Sequence, residues 1–160
     1  MQINIRFIQS SDNPALAKIV RDTMAEFGAN KPGTVFFDPT TDQLYEMFQK
    51  PGARYHVAEI DGELAGGGGI YPTDGLENDT CELVKMYLVP AARGTGLGRT
   101  LIEKCLEAAT EMGYKKIYLE TMAEFKQALK VYERFGFDYL KGPMGNSGHW
   151  GCGMWMLKTL

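Results

Sequence analysis

The sequence predicts a mixed α+β sandwich, a β-rich centre with helices interspersed. Three observations carry that prediction. Short apolar stretches alternate with polar residues at a period of two, as at Ile3, Ile5 and Phe7. Asp61-Gly62 stands between two such stretches and marks a tight hairpin turn. Leu97, Leu101, Cys105 and Ala108 instead recur at helical spacing, one stripe of an amphipathic helix. No internal repeat, linker or low-complexity tract interrupts the 160 residues, which read as one domain long enough to bury a real core.

Each element has its own justification. Ile3 to Phe7 reads as a first strand. Ser11-Asp12-Asn13-Pro14 is helix-start chemistry, and that helix should run to about Phe27 and stop at Gly28. Ala29 to Thr41, with Pro32, Gly33 and Pro39, reads as irregular, followed by a short helix from Asp42 to about Gln49. Tyr55–Ile60 and Glu63–Gly66 form the arms of the hairpin. Glu82 to Val89 is the next strand, Leu97 to Met112 a helix, Lys116 to Glu120 a strand and Phe125 to Phe135 a helix. Phe137 to Leu140 is a further strand, and Met154 to Lys158 is expected to close the sheet. Trp150, Trp155, Phe36 and Phe37 are expected in the core or in cleft walls.

Composition excludes several classes of function. An apolar fraction of 44% and a charged fraction of 23% are those of a soluble globular chain. The net charge is −3 and there is no basic run, so nucleic acid is not an expected partner. No segment approaches the length of a membrane span, and the N-terminus lacks the apolar run of a signal peptide. Cys81, Cys105 and Cys152 are odd in number and far apart, which argues for a reducing, cytoplasmic compartment rather than a disulfide framework. His56 and His149 lie far apart without a carboxylate at ligand spacing, so no metal site is expected.

The most informative stretch runs from Met86 to Leu101: an apolar strand, a glycine-rich turn bracketed by Arg93 and Arg99, and the start of a helix. Such a turn leaves backbone N–H groups bare at a helix N-terminus, where they and the helix dipole seat phosphate. The Walker pattern fails because the turn has no Gly-Lys pair, and the G-x-G-x-x-G fingerprint fails at Arg99 and Leu101. Arg93-x-x-Gly96-x-Gly98 fits another pattern, and it resembles the acyl-CoA motif Q/R-x-x-G-x-G/A of the GNAT N-acetyltransferase superfamily. Ala128-x-x-x-Tyr132-x-x-x-Gly136-Phe137 is similar to that family's second signature, in the right order and at the right distance.

The resemblance covers nearly the whole chain and is weakest before Tyr55. It implies a mixed, mostly antiparallel central sheet with helices on both faces and two splayed parallel strands. It further implies acetyl-CoA as acyl donor and an amine acceptor, either a small molecule or a protein amine. Homodimers are common in the superfamily. The family's pantetheine contacts fall on the backbone of Met86, Tyr87 and Leu88. Its pyrophosphate contacts fall on Arg93, Gly94, Thr95, Gly96, Leu97, Gly98 and Arg99. Tyr132 matches the tyrosine that protonates the leaving thiolate, and the loop from Ala29 to Pro39 matches the region that covers the acceptor site. Phe125 departs from the pattern, standing where the family often has an asparagine that bonds the pantetheine region.

Glu82 lies eleven residues before Arg93, where some members of the family carry a catalytic glutamate, so the resemblance makes it the general-base candidate, with the water chain that many members use as the alternative. Glu82 and Leu88 are an even number of steps apart along a strand, so both are expected on one face. Gly66 to Gly69 reads as a bulged, weakened strand or as room for a ligand beside the sheet, and the second is preferred because the family's cleft borders that strand. Cys152 with His149 could suggest a ping-pong acyl-enzyme, but a small strand residue and a histidine lining the substrate mouth is the preferred reading. The chain therefore reads as an N-acyltransferase acting by direct attack in a ternary complex. The rival class is a catalytically silent acyl-CoA-binding module.

Overall fold

The computed structural model describes residues 1–160. Along the chain come β1 (Ile3–Phe7), α1 (Asn13–Glu26), α2 (Leu44–Met47), β2 (Arg54–Ile60) and β3 (Glu63–Tyr71). They are followed by β4 (Thr80–Leu88), α3 (Leu97–Glu111), β5 (Lys116–Thr121), α4 (Lys126–Arg134), β6 (Asp138–Leu140) and β7 (Met154–Thr159). The strands form one sheet in the order β1-β2-β3-β4-β5-β7-β6. β7 thus lies between β5 and β6, so the C-terminal strand does not close the sheet; the short β6 forms its edge.

Each element follows from local chemistry. Pro14 sits in the first turn of α1, where its missing N–H costs nothing. Asp61 and Gly62 both adopt positive φ, as the hairpin joining β2 to β3 requires. Leu16, Leu44, Phe48, Tyr55 and Val57 pack α1 and α2 on one face of the sheet. Ile102, Cys105, Ile117, Leu119, Tyr132 and Met156 pack α3 and α4 on the other. Trp150 and Phe37 depart from the expected core positions: they are 78% and 59% exposed.

One irregularity controls the middle of the sheet. β4 and β5 are the parallel pair, joined only at Thr80↔Lys116, Cys81↔Ile117 and Glu82↔Tyr118. Beyond Glu82 the two strands part. On the other side of β4, Gly69 opposes Val84 and Gly67 opposes Tyr87, so Lys85 and Met86 together face Gly68. Lys85 is the bulged residue and has φ 54°, an unusual conformation for a side-chain-bearing residue. The Tyr55 hydroxyl reaches across from β2 and donates to the Lys85 carbonyl at 2.7 Å.

The glycines of β3 are what let it reach. A β-carbon at Gly67 would lie 2.5 Å from Tyr55 Cε1, and one at Gly69 would lie 2.6 Å from Tyr55 Cδ2. On the opposite face a β-carbon at Gly68 would strike Met86 Cε. The glycine run therefore makes room for protein side chains, not for a ligand as its sequence suggested.

The bulge also overturns the alternation argument. Cys81 and Leu83 face α3, whereas Val84 packs with α1 and α2. After the extra residue, Tyr87 packs against α1 and Leu88 against α3. Glu82 and Leu88 consequently lie on opposite faces, because one inserted residue reverses the parity of everything after it.

Tyr55→Phe keeps the ring and removes the hydroxyl. We expect it to cost about 1–3 kcal/mol in urea unfolding, the price of leaving a buried group without its donor. Gly67→Ala should cost about as much or more, through overpacking against Tyr55. Wild-type stability in both variants would show that the bulge does not depend on this crossing.

Candidate active site

Where β4 and β5 part, a cavity of about 630 Å³ opens between them. It runs from the start of α3 to the loops that follow α1 and β6. Glu82, Met86, Tyr87, Leu88, Arg93, Gly94, Gly96, Gly98, Arg99 and Tyr132 all border it, so the fold gathers ten of the twelve residues singled out in the sequence. Thr95 and Leu97 do not. Thr95 Oγ donates to the Ala92 carbonyl at 2.6 Å, and Leu97 is buried with Ala92 and Leu101.

At one end stands the N-terminus of α3. Gly94 and Gly96 have φ 74° and 87°, and a β-carbon at either would meet nothing within 4 Å. Their need for glycine is thus conformational rather than steric. The helix has no side-chain cap and no acidic residue in its first turn. Its first intrahelical bond runs from Thr100 N–H to the Gly96 carbonyl at 3.1 Å. The preceding amides of Gly98 and Arg99 point out of the helix start without an intrahelical acceptor, a geometry suited to anions.

The two arginines differ. Arg93 makes a forked pair with Glu26 at 2.6 and 3.0 Å, stacks 5.1 Å over Phe27 and donates to the Leu88 carbonyl at 3.2 Å. It ties the loop to the end of α1, and its guanidinium holds the Glu26 carboxyl below its ordinary range. Arg99 is exposed and pairs only with Glu103 on the next turn, at 3.1 Å.

The middle of the cavity is apolar. The β5-facing edge of β4 has no strand partner after Glu82. Phe125 at the start of α4 lies 5.3 Å from Phe27 and 6.5 Å from Tyr87, so the departure from the family pattern puts an aromatic wall there. Tyr132 is buried, with its ring 5.8 Å edge-on to Phe137. Burial drives its phenol well above the ordinary tyrosine range, so it stays protonated at neutral pH.

The other end is polar. Glu82 is only 3% exposed and accepts from Thr73 Oγ at 2.6 Å. Burial raises its carboxyl to about 7; the Thr73 bond opposes this, Glu120 adds to it, and Lys85 opposes it. It is neither the surface carboxylate nor the Lys85 ion pair that a bland reading of the strand would give. Around it stand Asp38, Lys85 and Glu120, which the sequence did not single out, together with His149 and Cys152, which it did. Asp38, from the loop after α1, lies 2.7 Å from His149 Nε2. Although burial alone would raise it, bonds from His149 and Thr40 hold Asp38 at about 2. Burial and Lys85 lower His149 despite that carboxylate. Glu120 accepts from the Tyr118 hydroxyl at 2.6 Å and from Ser147 Oγ. Burial pushes the Cys152 thiol up to about 12, which leaves it a neutral thiol and a poor nucleophile.

Asp38 was hidden because it looks like ordinary loop chemistry. It precedes Pro39 and caps a 3-10 turn by accepting from Thr40 N at 2.9 Å. Lys85 carries no signal of its own; the bulge that turns it is marked only by the glycines on the neighbouring strand.

Comparison with known proteins places this geometry. The family model described as Acetyltransferase (GNAT) family matches residues 16–137. An Escherichia coli K12 protein, the uncharacterized N-acetyltransferase YjgM, is 46% identical over 158 residues, covering 98% of this chain and 94% of its own. A GNAT-family acetyltransferase structure from Staphylococcus aureus Mu50 superposes with a TM-score of 0.84 at 20% identity, covering 99% of both chains. The Salmonella typhimurium acetyltransferase yncA, solved with acetyl-CoA, superposes at 0.75 and 20% identity, over 99% of this chain and 94% of its own.

If the bare amides at the start of α3 seat the phosphates of acetyl-CoA, Gly96→Asp should abolish its binding by calorimetry, because it sets a carboxylate among those amides. Gly96→Asn tolerates the same left-handed backbone without the charge and should retain measurable affinity. Equal affinity in the Asp variant would place the phosphates elsewhere.

Proposed function

This chain belongs to the GNAT acetyltransferase family, the acyl-CoA N-acetyltransferases, and from that premise we propose that it transfers the acetyl group of acetyl-CoA to a primary amine by direct attack in a ternary complex. The observation that carries the proposal is the placement of Glu82 and Tyr132 on one cavity, which leads from the bare N-terminus of α3.

In this reading the diphosphate rests on the amides of the Gly94–Arg99 turn, those of Thr95 and Leu97 included, with Arg99 free to add charge. Arg93 acts mainly by holding the turn against α1. The pantetheine arm lies along the unpaired edge of Met86, Tyr87 and Leu88, whose backbone groups need partners once β5 has turned away. The acceptor enters at the polar end as an ammonium. Glu82 as carboxylate takes one proton, the amine attacks the thioester carbonyl, an N–C bond forms and the C–S bond breaks. Tyr132 passes its proton to the departing sulfur and regains one as the nitrogen sheds its second.

A carboxyl raised to about 7 is ionised only above that pH, so activity should rise through about pH 7 and be lost below it. Thiol release with acetyl-CoA and a panel of amines tests the assignment. Tyr132→Phe should lower turnover roughly 10²-fold or more with little change in acetyl-CoA affinity. Glu82→Gln should be slow at neutral pH, lose the acidic limb and recover partly at high pH, where free amine is available. A Gln variant with the wild-type pH profile would assign proton removal to a water chain.

A further inference from the structure

Lys85 is the unexplained group. It is a lysine only 4% exposed, in mid-strand, bordering the cavity beside Glu82. No carboxylate lies within ion-pair distance of its ammonium, and no hydrogen bond contributes to its ionisation, which burial disfavours and Asp38, Glu82 and Cys152 favour from farther off. Every carboxylate around it is already bonded: Glu82 to Thr73, Asp38 to His149 and Thr40, Glu120 to Tyr118 and Ser147. A cation removed from water without a direct partner is strongly unfavourable, so its presence calls for a partner that arrives with a ligand.

The backbone shows that this position is built. With regular alternation residue 85 would follow Cys81 and Leu83 toward α3. The bulge instead turns it toward Asp38 and Cys152, on the side of the acceptor loops. The left-handed φ of 54° is an unusual conformation for a lysine, held by the buried Tyr55 bond to its own carbonyl. The phosphates of the donor do not supply the missing anion, because they belong at the start of α3, beyond the Met86–Leu88 edge.

We infer that the acceptor is a free amino acid, whose carboxylate pairs with Lys85 while its amine faces Glu82. This rests on the transferase reading above and adds the substrate class. A polyamine would bring a second cation against Lys85. A protein N-terminus has an amide where a free amino acid has its carboxylate. The amine and carboxylate of an amino acid are a few bonds apart, as Glu82 and Lys85 are three residues apart on one strand.

The test uses matched pairs: the L-amino acids and their carboxamides, assayed by thiol release from acetyl-CoA. For the preferred side chain, wild type should favour the acid by roughly 10²-fold in kcat/KM. Lys85→Gln, checked for unchanged acetyl-CoA affinity, should bring acid and amide within about fivefold of each other. Amides as good as acids in wild type would overturn the inference. So would a Lys85→Gln variant that slows acids and amides equally, which would mark Lys85 as a stabiliser of the thioester oxygen. Should no amine be acetylated, the transferase reading fails. The carboxylate question is then answered by titrating N-acetyl amino acids and their amides into the CoA-loaded protein. Acid-selective binding lost in Lys85→Gln supports the anion site, and its absence in wild type sinks it.

Discussion

The hydrogen bond from the Tyr55 hydroxyl to the Lys85 carbonyl is the constraint on which the rest of the site depends. It crosses a whole strand, and it can do so because β3 presents glycines where side chains would stand in the way. Its consequence is a β4 that stays paired with β3 but carries one residue too many. The surplus residue turns the strand and separates it from β5 after only three parallel pairs. The cavity is therefore not carved out of a regular sheet. It is the space left when a strand is bent by an insertion and held there by a buried phenol.

The same insertion distributes chemistry over the two faces. Met86 and Leu88 turn toward α3, while Glu82, Lys85 and Tyr87 stay on the side of α1 and the loops that carry Asp38 and Cys152. A slot that passes through the plane of the sheet can then be lined by the glycine-rich start of α3 at one end and by Glu82, Lys85, Glu120 and His149 at its polar end. Burial does most of the electrostatic tuning. It raises Glu82 toward neutral pH and keeps Tyr132 protonated, so that one group is able to accept a proton and another to give one. The Arg93–Glu26 fork holds the two ends in register by fixing the glycine-rich turn against α1.

Much of this was legible in the chain itself. The Arg93-to-Gly98 spacing and the Tyr132–Gly136–Phe137 signature are local, and local patterns survive without knowledge of the fold. The strands and helices were readable for the same reason: period-two and period-3.6 patterns report burial on one face. The polar end of the cavity was much less legible. Asp38, Lys85, Glu120 and His149 come from four separate segments, and what each does depends on neighbours up to 111 residues away.

The sequence by itself determined the elements, the glycine-rich turn before α3 and the residue types available for proton transfer, because these depend on short-range backbone preferences. Only the tertiary structure decided that Gly66–Gly69 accommodates Tyr55 and Met86 instead of a ligand, since that rests on a contact between β2 and β4 across β3. It decided the placement of β7 between β5 and β6. It also decided that Glu82 and Leu88 face opposite ways. Alternation counts residues, and a strand with a bulge holds one more residue than its partner can match.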